Sequence, residues 1–137
     1  MSLLTLSHVS AFYGQSQALF DVHLDIEEGE VLALMGRNGM GKSSTIKVIC
    51  RLLKNRGGNV VFDGQDIARL PAHRVARMGV GLVPEGRRCF TDLTVFENLI
   101  AAARRGPWDF DAVVKLFPRL AERRDQAAGT LSGGEQQ

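Results

Sequence analysis

Residues 36–43 read "GRNGMGKS", which places Gly36, Gly39, Gly41, Lys42 and Ser43 within eight positions. An apolar run, "VLALM" at 31–35, leads into this stretch. A helical period leads out of it, with Ile46, Ile49, Cys50 and Leu53 at i, i+3, i+4 and i+7. The flanks therefore predict strand, loop and helix, the strand apolar throughout as in a parallel sheet covered on both faces. A plain strand-to-helix turn needs glycine but has no use for Lys42-Ser43. A nucleoside triphosphate has a use for each. Glycines let successive N–H groups curl around phosphate oxygens, and the missing Cβ lets those oxygens come close. The helix behind the loop aims the positive end of its dipole at the same point. Lys42 supplies a point charge, and the Ser43 hydroxyl supplies a ligand for Mg²⁺. Gly36, Gly41, Lys42 and Ser43 meet the pattern G-x-x-x-x-G-K-[ST], so 36–43 is expected to bind phosphate.

Working outward, "LLTLSHVSAFY" (3–13) and "ALFDVHLDI" (18–26) alternate at near period two and read as strands, with "EEGE" (27–30) as a turn. "NRGG" (55–58) is expected to end the helix on a left-handed glycine cap. "NVVFDGQDI" (59–67) reads as a strand entering an Asp-Gly turn. "LPAHRVARM" (70–78) predicts a short helix with Pro71 in its first turn, and "GVGLVPEG" (79–86) a brief strand stopped by Pro84. Thr94 and Glu97 form a T-x-x-E capping box ahead of "NLIAAARR", and "DFDAVVKLFPRLAERR" (109–124) reads as one more helix.

The 137 residues suffice for one core, and a content of 45% apolar and 23% charged residues is that of a globular chain. No apolar run approaches the ~20 residues that a membrane span requires. A net charge of +2 and the pairs Arg87-Arg88, Arg104-Arg105 and Arg123-Arg124 point to solvated surface and not to a nucleic-acid footprint. Cys50 and Cys89 stand far apart without metal-ligand spacing and read as reduced thiols. His8, His23 and His73 are scattered, and the sequence assigns them no chemistry.

A second glycine-rich stretch, "LSGGEQQ" at 131–137, selects among phosphate-loop proteins. Ser132 and Glu135 form an S-x-x-E capping box, which has no need of Gly133-Gly134. Here the chain closely resembles the ATP-binding subunits of ABC transporters, whose signature is LSGGQ-like. The resemblance runs over the whole chain. The stretches "VPEGRR", "LTVFENL", "LFPRLAERR" and "AGTLSGGEQQ" make it most similar to the branched-chain amino acid importers, with urea or short-chain amide importers nearby.

The resemblance implies an α/β P-loop NTPase fold with an antiparallel β subdomain and a partial helical subdomain. Residues 1–85 would form the β subdomain and the start of the ATP-binding core, 86–131 the helical subdomain, and 132–137 the start of the signature helix. Gly36, Arg37, Asn38, Gly39, Met40, Gly41, Lys42, Ser43 and Ser44 would hold ATP, with Tyr13 stacking on adenine. Ser43 and Glu85 would ligate Mg²⁺, Glu85 standing where most members carry glutamine. Leu131, Ser132, Gly133, Gly134 and Glu135 would meet the ATP of a second, head-to-tail ATPase subunit. The other implied partners are membrane permease subunits and, indirectly, an extracytoplasmic solute-binding protein. The implied location is the cytoplasmic face of the membrane, with no nucleic acid bound.

The family also needs an apolar strand ending in Asp-Glu, and a later His. Neither stands among residues 1–137. The chain by itself is therefore expected to be a partial domain, poorly stable and without ATP turnover, while the intact protein is an ATPase. Two other classes compete: a soluble ABC ATPase acting in DNA repair or on ribosomes, and a non-catalytic remnant that binds nucleotide only.

Overall fold

The structure, a computed structural model, describes residues 1–137, which form two units, Met1–Leu82 and Val83–Gln137. The first is built on an antiparallel sheet. Strands β1 (Ser2–Tyr13) and β2 (Ser16–Glu27) pair as a hairpin. Strand β3 (Asn55–Phe62) pairs with the other edge of β1, and β4 (Gln65–Asp66) completes the order β2-β1-β3-β4. Asp63 (φ 47°) and Gly64 (φ 74°) make the turn between β3 and β4, both left-handed as a tight hairpin demands.

One face of this sheet is the core. Leu4, Leu6, Val9 and Ala11 of β1 and Val60 of β3 are buried against Leu19 of β2, with Ile67 beside them. Helices α1 (Lys42–Ile49) and α2 (Ala72–Arg77) contribute Val48 and Val75. Each such side chain, fully removed from water, stabilises the fold by roughly 1.5–3 kcal/mol.

Strict pairing is interrupted at four points in the hairpin, two of them in its middle. Between the pairs Leu6↔Leu24 and Val9↔Val22, Ser7 and His8 of β1 face only His23 of β2. Between Val9↔Val22 and Ala11↔Leu19, β2 carries the extra residue, in Phe20-Asp21 opposite Ser10. Each of these two central bulges places a non-glycine residue in the left-handed region, His8 at φ 53° and Asp21 at φ 50°. Across the first bulge, Gly58 of β3 has φ +75°, and a Cβ there would collide with the carbonyls of Ser7 and His8.

Several expectations are corrected. Helix α1 ends at Ile49 and does not reach the glycines at 57–58, which lie inside β3. Its C-cap is Cys50, and the residue after it, Arg51, is left-handed at φ 59°. Leu52 N–H returns to Lys47 O (2.8 Å) and Arg51 N–H to Val48 O (3.1 Å), the paired bonds of a left-handed helix stop. Arg51 tolerates the conformation because its buried guanidinium is tied to Asn55 Oδ1 (2.9 Å) and Ala68 O. The inward face of α1 also differs: Thr45 and Val48 are buried, while Ile46 is exposed.

Residues 31–35 and 79–86 are not strands. No strand of the chain lies alongside either segment, so their apolar residues bury little: Val31 is 94% and Met35 89% exposed. Pro71 caps α2 from outside its first turn.

In the second unit, α3 (Val95–Ala101) opens on the expected box. Thr94 Oγ1 accepts from Glu97 N–H (3.1 Å), and Glu97 Oε2 accepts from Thr94 N–H (2.8 Å). The single helix expected over 109–124 is two, α4 (Phe110–Leu116) and α5 (Pro118–Glu122). Pro118 lacks the N–H that would continue the ladder, so the chain turns at Phe117 and restarts with proline at the first helical position. A 3₁₀ turn (Ala128–Thr130) and the four-residue α6 (Gly133–Gln136) follow. Val95, Ala128 and Leu131 form a small core with Cys89, Leu99 and Leu120 packed on it. Arg124 lies over the ring of Phe96 at 4.0 Å and faces Phe110 at 5.3 Å. No helix in the chain is long and apolar enough to cross a membrane.

Candidate functional site

In the first unit the loop 36–41 hands directly into α1, with Gly41 as the residue before the helix. Three of its residues need glycine's freedom: Gly36 at φ +152°, Gly39 at +83° and Gly41 at +88°. Gly41 needs it twice over. A Cβ there would meet Leu19 Cδ2 at 2.8 Å and Ala18 O at 3.2 Å, so the loop closes tightly on β2 only because the atom is missing.

The loop turns its hydrogen-bonding groups in opposite senses. Its carbonyls face Lys42, whose Nζ donates to Gly36 O (2.5 Å) and Arg37 O (2.8 Å). Its N–H groups are left open. Met40 N–H alone folds back, to Arg37 O (3.3 Å), while the N–H groups of Gly41, Lys42 and Ser43 find no acceptor in the chain. Thr45 closes the first turn onto Gly41 O with both its N–H and its hydroxyl, each at 2.8 Å. The result is a solvent-facing cluster of donors at the positive end of a helix, with an ammonium fastened to the carbonyls of the same loop. An ammonium has three donors, and two are spent on carbonyls. That is a site for an oxyanion.

Tyr13 stands at the end of β1 beside this helix start. Its hydroxyl lies 3.3 Å from Ser44 Oγ, and Lys47 Nζ lies 5.6 Å from its ring centre. Sequence reading had no reason to single out Lys47. Ser43, Arg37, Asn38 and Met40 are all exposed at the mouth of the loop. The residues present fit a magnesium-bound triphosphate: unspent N–H donors at 41–43, open space at Gly39, and a free hydroxyl at Ser43. Glu85, the other expected magnesium ligand, is exposed in irregular chain of the second unit.

The signature stretch in the second unit is built differently. Leu131 is buried and anchors the segment. Ser132 caps α6, but the capping box expected with Glu135 is only half formed. Ser132 Oγ accepts weakly from Glu135 N–H (3.4 Å), and the Glu135 carboxylate takes the Ser132 hydroxyl (2.6 Å) in place of its N–H. The other carboxylate oxygen pairs with Arg123 Nε at 2.6 Å. The Ser132 hydroxyl first, with Arg123 helping and partial desolvation opposing, holds the Glu135 carboxyl below its usual range. Gln136 Nε2 fastens the helix back onto Ala128 O (3.1 Å) and Leu131 O (3.2 Å). The guanidinium of Arg87 covers Gly133, where a Cβ would displace it. Arg87 and Arg123, read from sequence as solvated pairs, are thus both engaged around the signature. Nothing in their spacing signalled it.

A glycine loop with these open donors, on the helix that follows an antiparallel β unit, defines a P-loop nucleotide-binding domain of the α/β class. The ABC transporter family model matches residues 19–137, and the chain belongs to that family. It is 41% identical over 98% of its length to the high-affinity branched-chain amino acid transport ATP-binding protein BraG of Pseudomonas aeruginosa. It is 33% identical, over the same share, to the lipopolysaccharide export ATP-binding protein LptB of Haemophilus influenzae. The matches cover 60% and 59% of those proteins, so the chain spans about three-fifths of the relatives' length. Among solved structures, a dimeric ATP-binding cassette in a post-hydrolysis state with ADP and Pi is similar at a TM-score of 0.77 and 27% identity. That match covers 97% of this chain and 65% of the cassette.

Proposed function

We propose that the full-length protein is the ATP-binding and ATP-hydrolysing subunit of an ABC importer for branched-chain amino acids. The observation that carries the nucleotide reading is the loop itself: open N–H groups of residues 41–43, with Lys42 Nζ held on the loop carbonyls of Gly36 and Arg37. The 41% identity to BraG, against 33% to LptB, favours amino-acid import over lipopolysaccharide export.

In this reading the donors of residues 36–44 orient the phosphate chain, and Lys42 turns its remaining N–H to an outer phosphate oxygen. Tyr13 offers its ring to the adenine, with Lys47 fixing the ring from one side. Ser43 would offer its hydroxyl to Mg²⁺, whose role when bound is to neutralise the outer phosphates. Ser132, Gly133 and Gly134 meet the nucleotide of a second, head-to-tail subunit, so that ATP closes the dimer. The second unit faces the permease, which meets the extracytoplasmic solute-binding protein on the other side of the membrane. The subunit works on the cytoplasmic face.

The test is transport. The full-length protein, reconstituted with its permease and binding protein in vesicles, is expected to drive ATP-dependent uptake of leucine, isoleucine or valine. ATPase activity stimulated by a lipopolysaccharide-export permease and not by an amino-acid permease would replace the importer reading and leave the nucleotide site standing.

A further inference from the structure

The two central bulges of the β1–β2 hairpin bring together three side chains that the sequence scatters. We propose that His8, Asp21 and His23 form a binding site for one divalent transition-metal ion of the imidazole-preferring class, Zn²⁺, Ni²⁺, Co²⁺ or Cu²⁺. This site lies on the outer face of the sheet, opposite its core.

The geometry is that of a chelate. His8 Nδ1 lies 2.8 Å and His23 Nε2 3.4 Å from the same oxygen, Asp21 Oδ1. One ligand atom from each residue falls within 4.8 Å of the other two. Ligands held at about 2.0–2.2 Å around a tetrahedral ion stand roughly 3.4 Å apart, so both His–Asp distances are already near the required spacing. The two imidazoles meet edge to face at 4.2 Å, and all three side chains are mostly exposed, so closing the remaining gap costs only side-chain rotation. Two neutral imidazoles and one carboxylate select transition ions over Mg²⁺ or Ca²⁺, which prefer all-oxygen shells. Three protein ligands leave coordination positions open to water or to a group on another molecule.

Two features argue for a built arrangement. Without the bulge at Ser7-His8, His8 would follow the alternation of β1, and its parity would not match that of His23. The second bulge aims Asp21 between the two rings. Both bulged positions carry residue types that accept the left-handed conformation with little strain. The site is separate from the magnesium expected at Ser43 and does not depend on it.

The test is calorimetric titration of Zn²⁺ into the full-length protein, with Mg²⁺ in excess to saturate other oxygen sites. One Zn²⁺ per chain at micromolar affinity is expected. His23→Gln, on regular strand, should weaken it at least about tenfold, as should Asp21→Asn and His8→Asn, which keep the bulges. Co²⁺ in place of Zn²⁺ should give visible d–d absorption that the same variants abolish. Nucleotide affinity should stay unchanged throughout. Zn²⁺ binding of equal strength in wild type and all three variants, or no binding up to about 100 μM, would overturn the proposal and leave a plain hydrogen-bonded cluster.

Discussion

The chain has two glycine-rich turns into helices, and they use glycine for opposite reasons. At 36–41 the backbone itself demands it, because Gly36, Gly39 and Gly41 hold positive φ and Gly41 has no space for a Cβ against β2. At 133–134 the backbone demands nothing. Gly133 and Gly134 are ordinary helical residues, and Gly134 has nothing within 4 Å of a Cβ position. Two successive glycines there cost helix stability, about 1 kcal/mol each relative to alanine. At Gly133 the return is local, since the Arg87 guanidinium takes the space of a Cβ; at Gly134 no neighbour uses that space. The first turn is explained by its own fold, and the second, at Gly134, is not.

The largest effect should come from Gly41→Ala in the full-length protein. The clash with Leu19 and Ala18 and the left-handed strain should destabilise the first unit by about 2 kcal/mol and remove measurable nucleotide binding. Thermal unfolding and nucleotide titration would read both. The contrasting change is Gly134→Ala. It should leave stability unchanged or raise it by up to about 1 kcal/mol, with ATP binding by the single subunit intact. ATPase activity and ATP-driven dimerisation should nonetheless fall about tenfold or more, measured by phosphate release and sedimentation. Loss of folding in Gly134→Ala, or full activity, would break the contrast between the turns.

A smaller effect separates the two capping carboxylates from the loop. Thr94 N–H and hydroxyl bonds hold the Glu97 carboxyl below its ordinary value, as Ser132 and Arg123 do for Glu135. A carboxyl depressed in the folded state stabilises above its unfolded pKa, near 4.5, and that stabilisation is lost as pH falls through the lower folded value. The second unit should therefore loosen below about pH 4.5, followed by helical circular dichroism. Thr94→Ala and Ser132→Ala should each flatten that acid limb. The smallest expected effect is at Tyr13. Tyr13→Ala should weaken ATP binding several-fold, and Tyr13→Phe much less, because the hydroxyl contact with Ser44 is long at 3.3 Å.

What could be read from sequence was what local partners decide. Strands β1 and β2 alternate visibly because each is the other's neighbour across a two-residue turn. The Thr94–Glu97 box and the Asp63-Gly64 turn are likewise complete within a few residues. Errors arise where the deciding partner is distant. Residues 31–35 have a strand's composition, but composition supplies no strand to pair with. Helix α1 ends at Ile49 and the chain turns at Arg51, whose guanidinium Asn55 and Ala68 receive, which the helical period cannot reveal. The break at Phe117-Pro118 was legible in principle, since proline cannot continue a ladder, but the apolar period across 109–124 masked it. The cluster of His8, Asp21 and His23 was hidden for another reason. A bulge changes strand parity, and nothing in "LLTLSHVSAFY" marks where the parity slips.

Equilibrium titration of a fluorescent ATP analogue with Mg²⁺ into the full-length subunit, wild type beside Lys42→Ala, bears most directly on the glycine loop. The loop geometry predicts saturable binding at one site per chain, weakened about a hundredfold or more when the ammonium across Gly36 O and Arg37 O is removed. Equal affinity in the two proteins would contradict it, as would wild type that binds no nucleotide.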